Sequence, residues 1–299
     1  MIDEEVPIFW RALGLPGLID IHVHFYPERM LAKVWKYFDD VFWTITYRGT
    51  ERERLDLLKA LGVKVFSALT YAHKPGMAAN LNDWAVSFAA DNPGCLPSAT
   101  FYPEPGVLDY VRKVLDQGAR IFKVHLQVGA FDPRDELLDP VWGLLAEAGT
   151  PIVTHAGSGP LPGDYTGPGP IAEVLERHPR LQVVIAHMGT PEYEPFLELA
   201  ERFERVRLDT TMAFTDFLDN VAPYPVKLLD RVKDLGLAGK VLLGTDYPNI
   251  PHPYAQQLEA LARLDFGDDW LRAVCWHNAV SALGIAEVNE PFLQPPKAI

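Results

Sequence analysis

Eight short apolar runs, each followed by a longer amphipathic stretch, predict a single-domain α/β protein built as a (β/α)8 barrel of the TIM type. Two further observations agree. Several runs, such as Val241-Leu242-Leu243, are apolar on both faces, as parallel strands are when helices cover their outside and side chains fill the inside. Of the nine histidines, six (His22, His24, His73, His125, His155 and His187) fall at or just past the end of a run, where barrels of this kind carry their active sites.

The runs span 17–24, 63–71, 96–102, 120–127, 151–155, 181–187, 206–211 and 240–246. Between them lie helices with recognisable ends. Thr50 caps the first, with Glu53 completing a capping box, and Gly62 closes it after Leu55, Leu58 and Leu61 supply an apolar stripe. Phe196, Leu199, Ala200 and Phe203 recur at helical spacing behind Pro191, which is expected to open that helix. Asp268 is expected to cap a last helix that runs through Trp270, Leu271, Val274 and Ala279 to Gly284. Residues 25–50 make a connection longer than a barrel needs. They carry Trp35, Tyr37, Phe38, Phe42, Trp43 and Tyr47, too aromatic for a plain surface loop, and predict a lid or an oligomer contact, most simply in a homodimer. Residues 157–170 and 212–225 are long connections on the same side. With no linker, repeat or low-complexity tract, 1–299 reads as one domain.

Composition narrows the partners. A chain of 299 residues, 48% of them hydrophobic, can bury a large core. Its net charge of -13 opposes binding to nucleic acid or anionic membrane, each of which needs a basic face. No apolar stretch is long enough to span a bilayer. Cys95 and Cys275 stand far apart, which suggests neither a disulfide framework nor a thiolate metal site. The acidic N-terminus lacks the form of a signal peptide, so a cytoplasmic protein acting on a small molecule is expected.

The chemistry is carried by His22 and His24, whose spacing on a strand points both imidazoles to one face. Thr154-His155-Ala156-Gly157, Ala186-His187-Met188-Gly189 and Gly244-Thr245-Asp246-Tyr247-Pro248 end other runs and add two imidazoles and a carboxylate. His22, His24, His155 and Asp246 are the expected ligands of one divalent ion, zinc first, with manganese, iron or cobalt as alternatives. Asp246 is also the expected general base, and His187 would polarise a substrate carbonyl, shuttle a proton or complete a second metal site. Lys123 and His125 share an inward face on the fourth run, where the lysine would bind a substrate carboxylate or pair with a buried acid.

This order of residues resembles the amidohydrolase superfamily. Ile19-Asp20-Ile21-His22-Val23-His24 and Leu243-Gly244-Thr245-Asp246-Tyr247-Pro248 are similar to phrases of its amidohydrolase-2 branch, which includes aminocarboxymuconate-semialdehyde and resorcylate decarboxylases. The resemblance implies that His22, His24, His155 and Asp246 hold one divalent metal and that His187 is the catalytic histidine. Binuclear members carry a carboxylated lysine on strand four, where Lys123 lies. Many relatives with a similar Lys-x-His resemble mononuclear enzymes, so one ion is expected.

A lone histidine is by default a satisfied core or surface residue; the joint pattern overrides that default for His22, His24, His155 and His187. His125 and His73 read equally as supporting residues or as substrate contacts. Arg48 would clamp an acidic substrate if the aromatic connection folds inward, against the ordinary reading of a solvated charge. The leading expectation is a hydrolase in which metal-bound hydroxide attacks an amide, ester or lactone of a small carboxylated substrate. The rival is a non-oxidative decarboxylase of an aromatic or muconate-type acid, favoured if Arg48, Lys123 and His125 converge. A binding protein without catalysis and a purely structural zinc site are the remaining readings, and ligands drawn from distant strands count against both.

Overall fold

The computed structural model describes residues 1–41 and 43–285; Phe42 of the aromatic connection and residues 286–299 of the expected domain lie outside the described residues. Among the described residues nine parallel strand segments form two sheets: β1 (Leu18–Asp20), β2 (Val63–Ser67), β3 (Cys95–Leu96), β4 (Ser98–Thr100), β5 (Ile121–His125), β6 (Ile152–His155), β7 (Val183–Ile185), β8 (Val206–Asp209) and β9 (Val241–Leu242). They pair in chain order, β1 to β3 and β4 to β9. The third expected run is broken at Pro97, which has no N–H to give to a ladder. Its first half pairs with β2 and its second with β5. Counting β3 and β4 as one position gives the eight expected from the sequence.

Backbone hydrogen bonds from Ile21 to Leu243 (3.0 Å), Asp246 to His22 (2.8 Å) and His24 to Tyr247 (2.7 Å) join the first position to the last. These bonds lie beyond the regular strands. The first and last strands are shorter than the runs that predict them, ending at Asp20 and at Leu242. His187 (φ 55°), Met212 (φ 55°) and Asp246 (φ 70°), each just past a strand, adopt the left-handed backbone that residues with a Cβ avoid. Such strain persists where surroundings impose it, commonly at functional sites.

The helix Glu51–Leu61 begins as its sequence dictates. Thr50 Oγ1 accepts the Glu53 N–H at 3.2 Å, and Glu53 Oε2 accepts the Thr50 N–H at 2.8 Å. Gly62 ends it at φ +84°, where a Cβ would meet the Trp10 indole at 2.4 Å. Replacing Thr50 with Ala should therefore lower unfolding stability by about 1 kcal/mol in urea denaturation, without altering turnover.

Two helices differ from expectation at their starts. Glu192, not Pro191, occupies the capping position of Tyr193–Arg202, while Phe196, Leu199 and Ala200 form its buried face. Gly267 takes the capping position of Asp268–Arg272, and Asp268 is its first residue, set to complement the helix dipole. A π-turn over Ala273–His277 follows, then Asn278–Leu283, closed by Gly284 in the left-handed region. The turn leaves the Val274 carbonyl to accept the Leu243 N–H at 3.1 Å, and Asn278 Nδ2 donates to the Val241 carbonyl at 2.8 Å, so this helix pins β9.

The aromatic connection contains the helix Glu28–Asp40 and lies against the loop that follows β9. The indole N–H groups of Trp35 and Trp43 reach Asn249 Oδ1 (3.3 Å) and the Asn249 carbonyl (2.8 Å), and the Thr46 N–H reaches the Ile250 carbonyl at 2.9 Å. Among the described residues no helix is long and apolar enough to cross a membrane.

Candidate metal centre and adjoining cavity

Asp20, at the end of β1, fastens the two strand exits that carry the site. Its Oδ1 accepts the His22 N–H at 3.1 Å, and its Oδ2 accepts the hydroxyls of Thr245 (2.6 Å) and Tyr254 (3.0 Å). Burial pushes this carboxyl up to about 7, against those hydrogen bonds, which favour the ionised form. Gly244 lets the exits approach: a Cβ there would lie 2.6 Å from Thr211 Oγ1 and 2.8 Å from His22 Cβ.

The tautomers of the histidine pair follow from their partners. His22 Nδ1 is 2.8 Å from Asp209 Oδ2, a group that only accepts when ionised, so Nδ1 carries the proton and Nε2 the lone pair. Asp209 is fully buried, which alone would raise its pKa, yet the hydrogen bond from His22 and the nearby Lys123 hold it well below the usual range. His22 itself is pushed down to about 4, by burial and then by the charge of Lys123, so the pair is a neutral imidazole donating to a carboxylate. His24 Nδ1 lies 2.8 Å from the Leu69 carbonyl, which fixes its proton there as well, with the Tyr26 hydroxyl at 3.0 Å. Both Nε2 atoms thus present lone pairs inward. Asp246 Oδ1 is 2.8 Å from His24 Nε2 and 3.5 Å from His22 Nε2, and the three donor atoms lie within 4.8 Å of one another.

Two imidazole lone pairs and a carboxylate at this spacing fit a divalent transition metal. Each imidazole is also held from behind by a hydrogen-bond acceptor, as ligating histidines are.

The other expected site residues stand around this group. Lys123 Nζ is 3.0 Å from His22 Nε2, and burial lowers its pKa to about 8 against the pull of Asp209 and Asp246. The His187 ring centroid is 5.3 Å from that of His22 and 4.7 Å from that of His155, and burial pushes its pKa down to about 4. Its backbone N–H donates to Asp209 Oδ1 at 2.9 Å. His155 is not one of the three clustered ligands: its Nε2 bonds the Gly159 carbonyl at 2.9 Å, which leaves Nδ1 as its lone-pair nitrogen. Its ring stacks on His125 with centroids 3.8 Å apart. His125 Nδ1 accepts the Val128 N–H at 3.3 Å, so its Nε2 is the N–H. Arg48 is engaged elsewhere. Its guanidinium pairs with both carboxylate oxygens of the exposed Asp39.

Beside His155 and His187 opens a cavity of about 460 Å³, bounded by the loops after β6, β7 and β8 and by Trp43 from the aromatic connection. Four residues of the site carry no role in the sequence reading: Asp209, Thr211, Tyr26 and Tyr71. Thr211 Oγ1 is 3.0 Å from His22 Nδ1, and the Tyr71 ring sits 5.1 Å from His125 and 6.0 Å from His24. Asp209 ends an apolar run as Asp246 does, and that position was its signal.

A parallel barrel whose strand ends gather imidazoles and carboxylates around one ligand-ready cluster defines the metal-dependent barrel enzymes. The chain belongs to the amidohydrolase family, in its amidohydrolase-2 branch, whose model matches residues 19–285. Among curated proteins none matches the sequence. Solved structures share the fold. An uncharacterized TIM-barrel protein from Bordetella bronchiseptica is 20% identical at a TM-score of 0.72, covering 90% of this chain and 98% of its own. Dihydroorotase from Campylobacter jejuni is 15% identical (TM-score 0.60; 90% and 84% covered). The 5-carboxyvanillate decarboxylase from Novosphingobium aromaticivorans, complexed with manganese and 4-hydroxy-3-methoxy-5-nitrobenzoic acid, is 15% identical (TM-score 0.57; 91% and 97% covered).

Proposed function

We propose that the protein is a metal-dependent hydrolase that splits an ester, lactone or amide of a small molecule. The observation that carries this is the set of inward lone pairs on His22 and His24 beside the ionised Asp246. These three would hold a divalent ion, and His155 would add its Nδ1. A divalent metal bound there supplies a Lewis acid and makes water acidic enough to lose a proton near neutral pH.

In hydrolysis the water oxygen bonds to the acyl carbon, and the bond from that carbon to the leaving oxygen or nitrogen breaks with its electron pair. Asp246 takes the water proton at its carboxylate and delivers it to the leaving atom, from a place beside both imidazole donors. His187, buried and neutral, donates a hydrogen bond to the developing oxyanion. Lys123 orients a carbonyl or carboxylate oxygen near His22, and Trp43 lies over the cavity to limit water entry.

The decarboxylase reading draws support from Lys123, a buried cation at the centre of the site. It loses the support of Arg48, which is paired with Asp39. The deciding assay follows acid release from esters, lactones and amides beside carbon dioxide release from carboxylated aromatics. Hydrolysis without carbon dioxide is expected, and the reverse outcome overturns the proposal. Elemental analysis of protein purified without added metal should give one equivalent of ion per chain. Two equivalents would reassign Lys123 as a carboxylated, bridging ligand.

A further inference from the structure

We infer that the substrate presents an uncharged, apolar group, aryl or branched alkyl in size, to the cavity beside His155 and His187. This rests on the small-molecule hydrolase reading and names the class of substrate for it.

Among the described residues the cavity wall carries no Asp, Glu, Lys or Arg. The wall is mainly apolar, with Trp43, Pro162, Met212, Phe217, Leu218 and Val221 as its larger apolar side chains, and several of its polar groups are committed already. The Trp43 indole N–H is spent on the Asn249 carbonyl, and its ring meets Phe217 edge-on at 5.0 Å, so the cavity receives aromatic surface. Ser158 donates its N–H (3.1 Å) and its hydroxyl to Glu192, which turns that acid onto the loop. Thr190 Oγ1 is bonded to the His187 carbonyl at 2.7 Å.

A carboxylate placed here would shed its water and gain no cation. An apolar group would gain about fourfold in affinity for each methylene buried. A cavity of about 460 Å³ falls in the range of about 300–1,000 Å³ that takes small organic ligands. The reacting carbon then lies toward His22 and Asp246 and the apolar group lies away from them. This narrows the carboxylated substrate expected from sequence: any carboxylate belongs at the Lys123 end, not at the distal end.

The test needs no turnover. Zinc-loaded protein is titrated calorimetrically with 4-methylphenylacetate and 4-carboxyphenylacetate, which share the head that meets the metal and Lys123 and differ only at the distal end. The methyl compound should bind at least about tenfold tighter. Val221→Arg should shift that ratio about tenfold toward the diacid; Val221 is 72% exposed, so the fold tolerates the change. Trp43→Ala is the second variant and should weaken the methyl compound alone. Equal or tighter binding of the diacid by the unaltered protein, or a ratio indifferent to Val221→Arg, overturns the inference. If the ratio holds while the enzyme releases only carbon dioxide, the hydrolase reading fails and the apolar distal group stands.

Discussion

Asp246→Asn should abolish most turnover while leaving the fold in place. Asparagine is the substitution of choice for a geometric reason: Asp246 sits at φ 70°, and asparagine is among the few residues with a Cβ that accept that region readily. The amide retains the shape but loses the base and the negative charge that a divalent ion would meet beside His24 and His22. Loss of a general base costs about a hundredfold to ten-thousandfold in kcat. Because the variant also gives up an anionic ligand, kcat is measured at saturating metal, with circular dichroism confirming the fold. Full activity under those conditions would remove Asp246 from the chemistry and with it the proposed proton path.

Much of this site was legible in the sequence because barrel geometry converts a one-dimensional feature, a polar residue ending an apolar run, into a shared location. His22, His24 and Asp246 obeyed that rule and meet within 4.8 Å. The same rule applied to Val206-Arg207-Leu208-Asp209 would have found Asp209, whose place behind His22 is set by side-chain orientation, which spacing does not report. Arg48 was less legible. Its sequence position allowed an inward or outward turn, and its pairing with Asp39 on the neighbouring helix is invisible until the connection folds.

Fold boundaries show the same division. The capping box at Thr50 and Glu53 is local and survives intact. The break at Pro97 was also local, since a missing N–H can be read from one letter. By contrast, the early ends of β1 and β9 and the left-handed backbone at Asp246 lie where hydrogen bonds tie the first strand position to the last, a constraint set by distant contacts. No window of sequence contains that constraint, since it arises between strands more than 200 residues apart, as in the 225-residue separation of Asp20 and Thr245.

Asp209→Asn tests whether the group behind the metal ligand matters as much as the ligand. The native carboxylate faces donors only: Oδ2 takes the His22 Nδ1 proton at 2.8 Å, and Oδ1 takes the N–H groups of His187 (2.9 Å) and Thr211 (3.1 Å). An amide has one oxygen and one NH2, so it must confront one of these donors with another. If the oxygen keeps the two backbone groups, the NH2 meets His22 Nδ1 and drives the imidazole proton to Nε2, the atom that must offer a lone pair to the ion. Affinity for metal should then fall about 10- to 100-fold, read by competition with a chelator. Turnover should recover substantially when zinc is supplied in excess. A merely structural role would lower the midpoint of thermal unfolding equally with and without metal and leave the chelator competition unchanged. That result would assign metal retention to His24 and Asp246 without help from the Asp209–His22 pair.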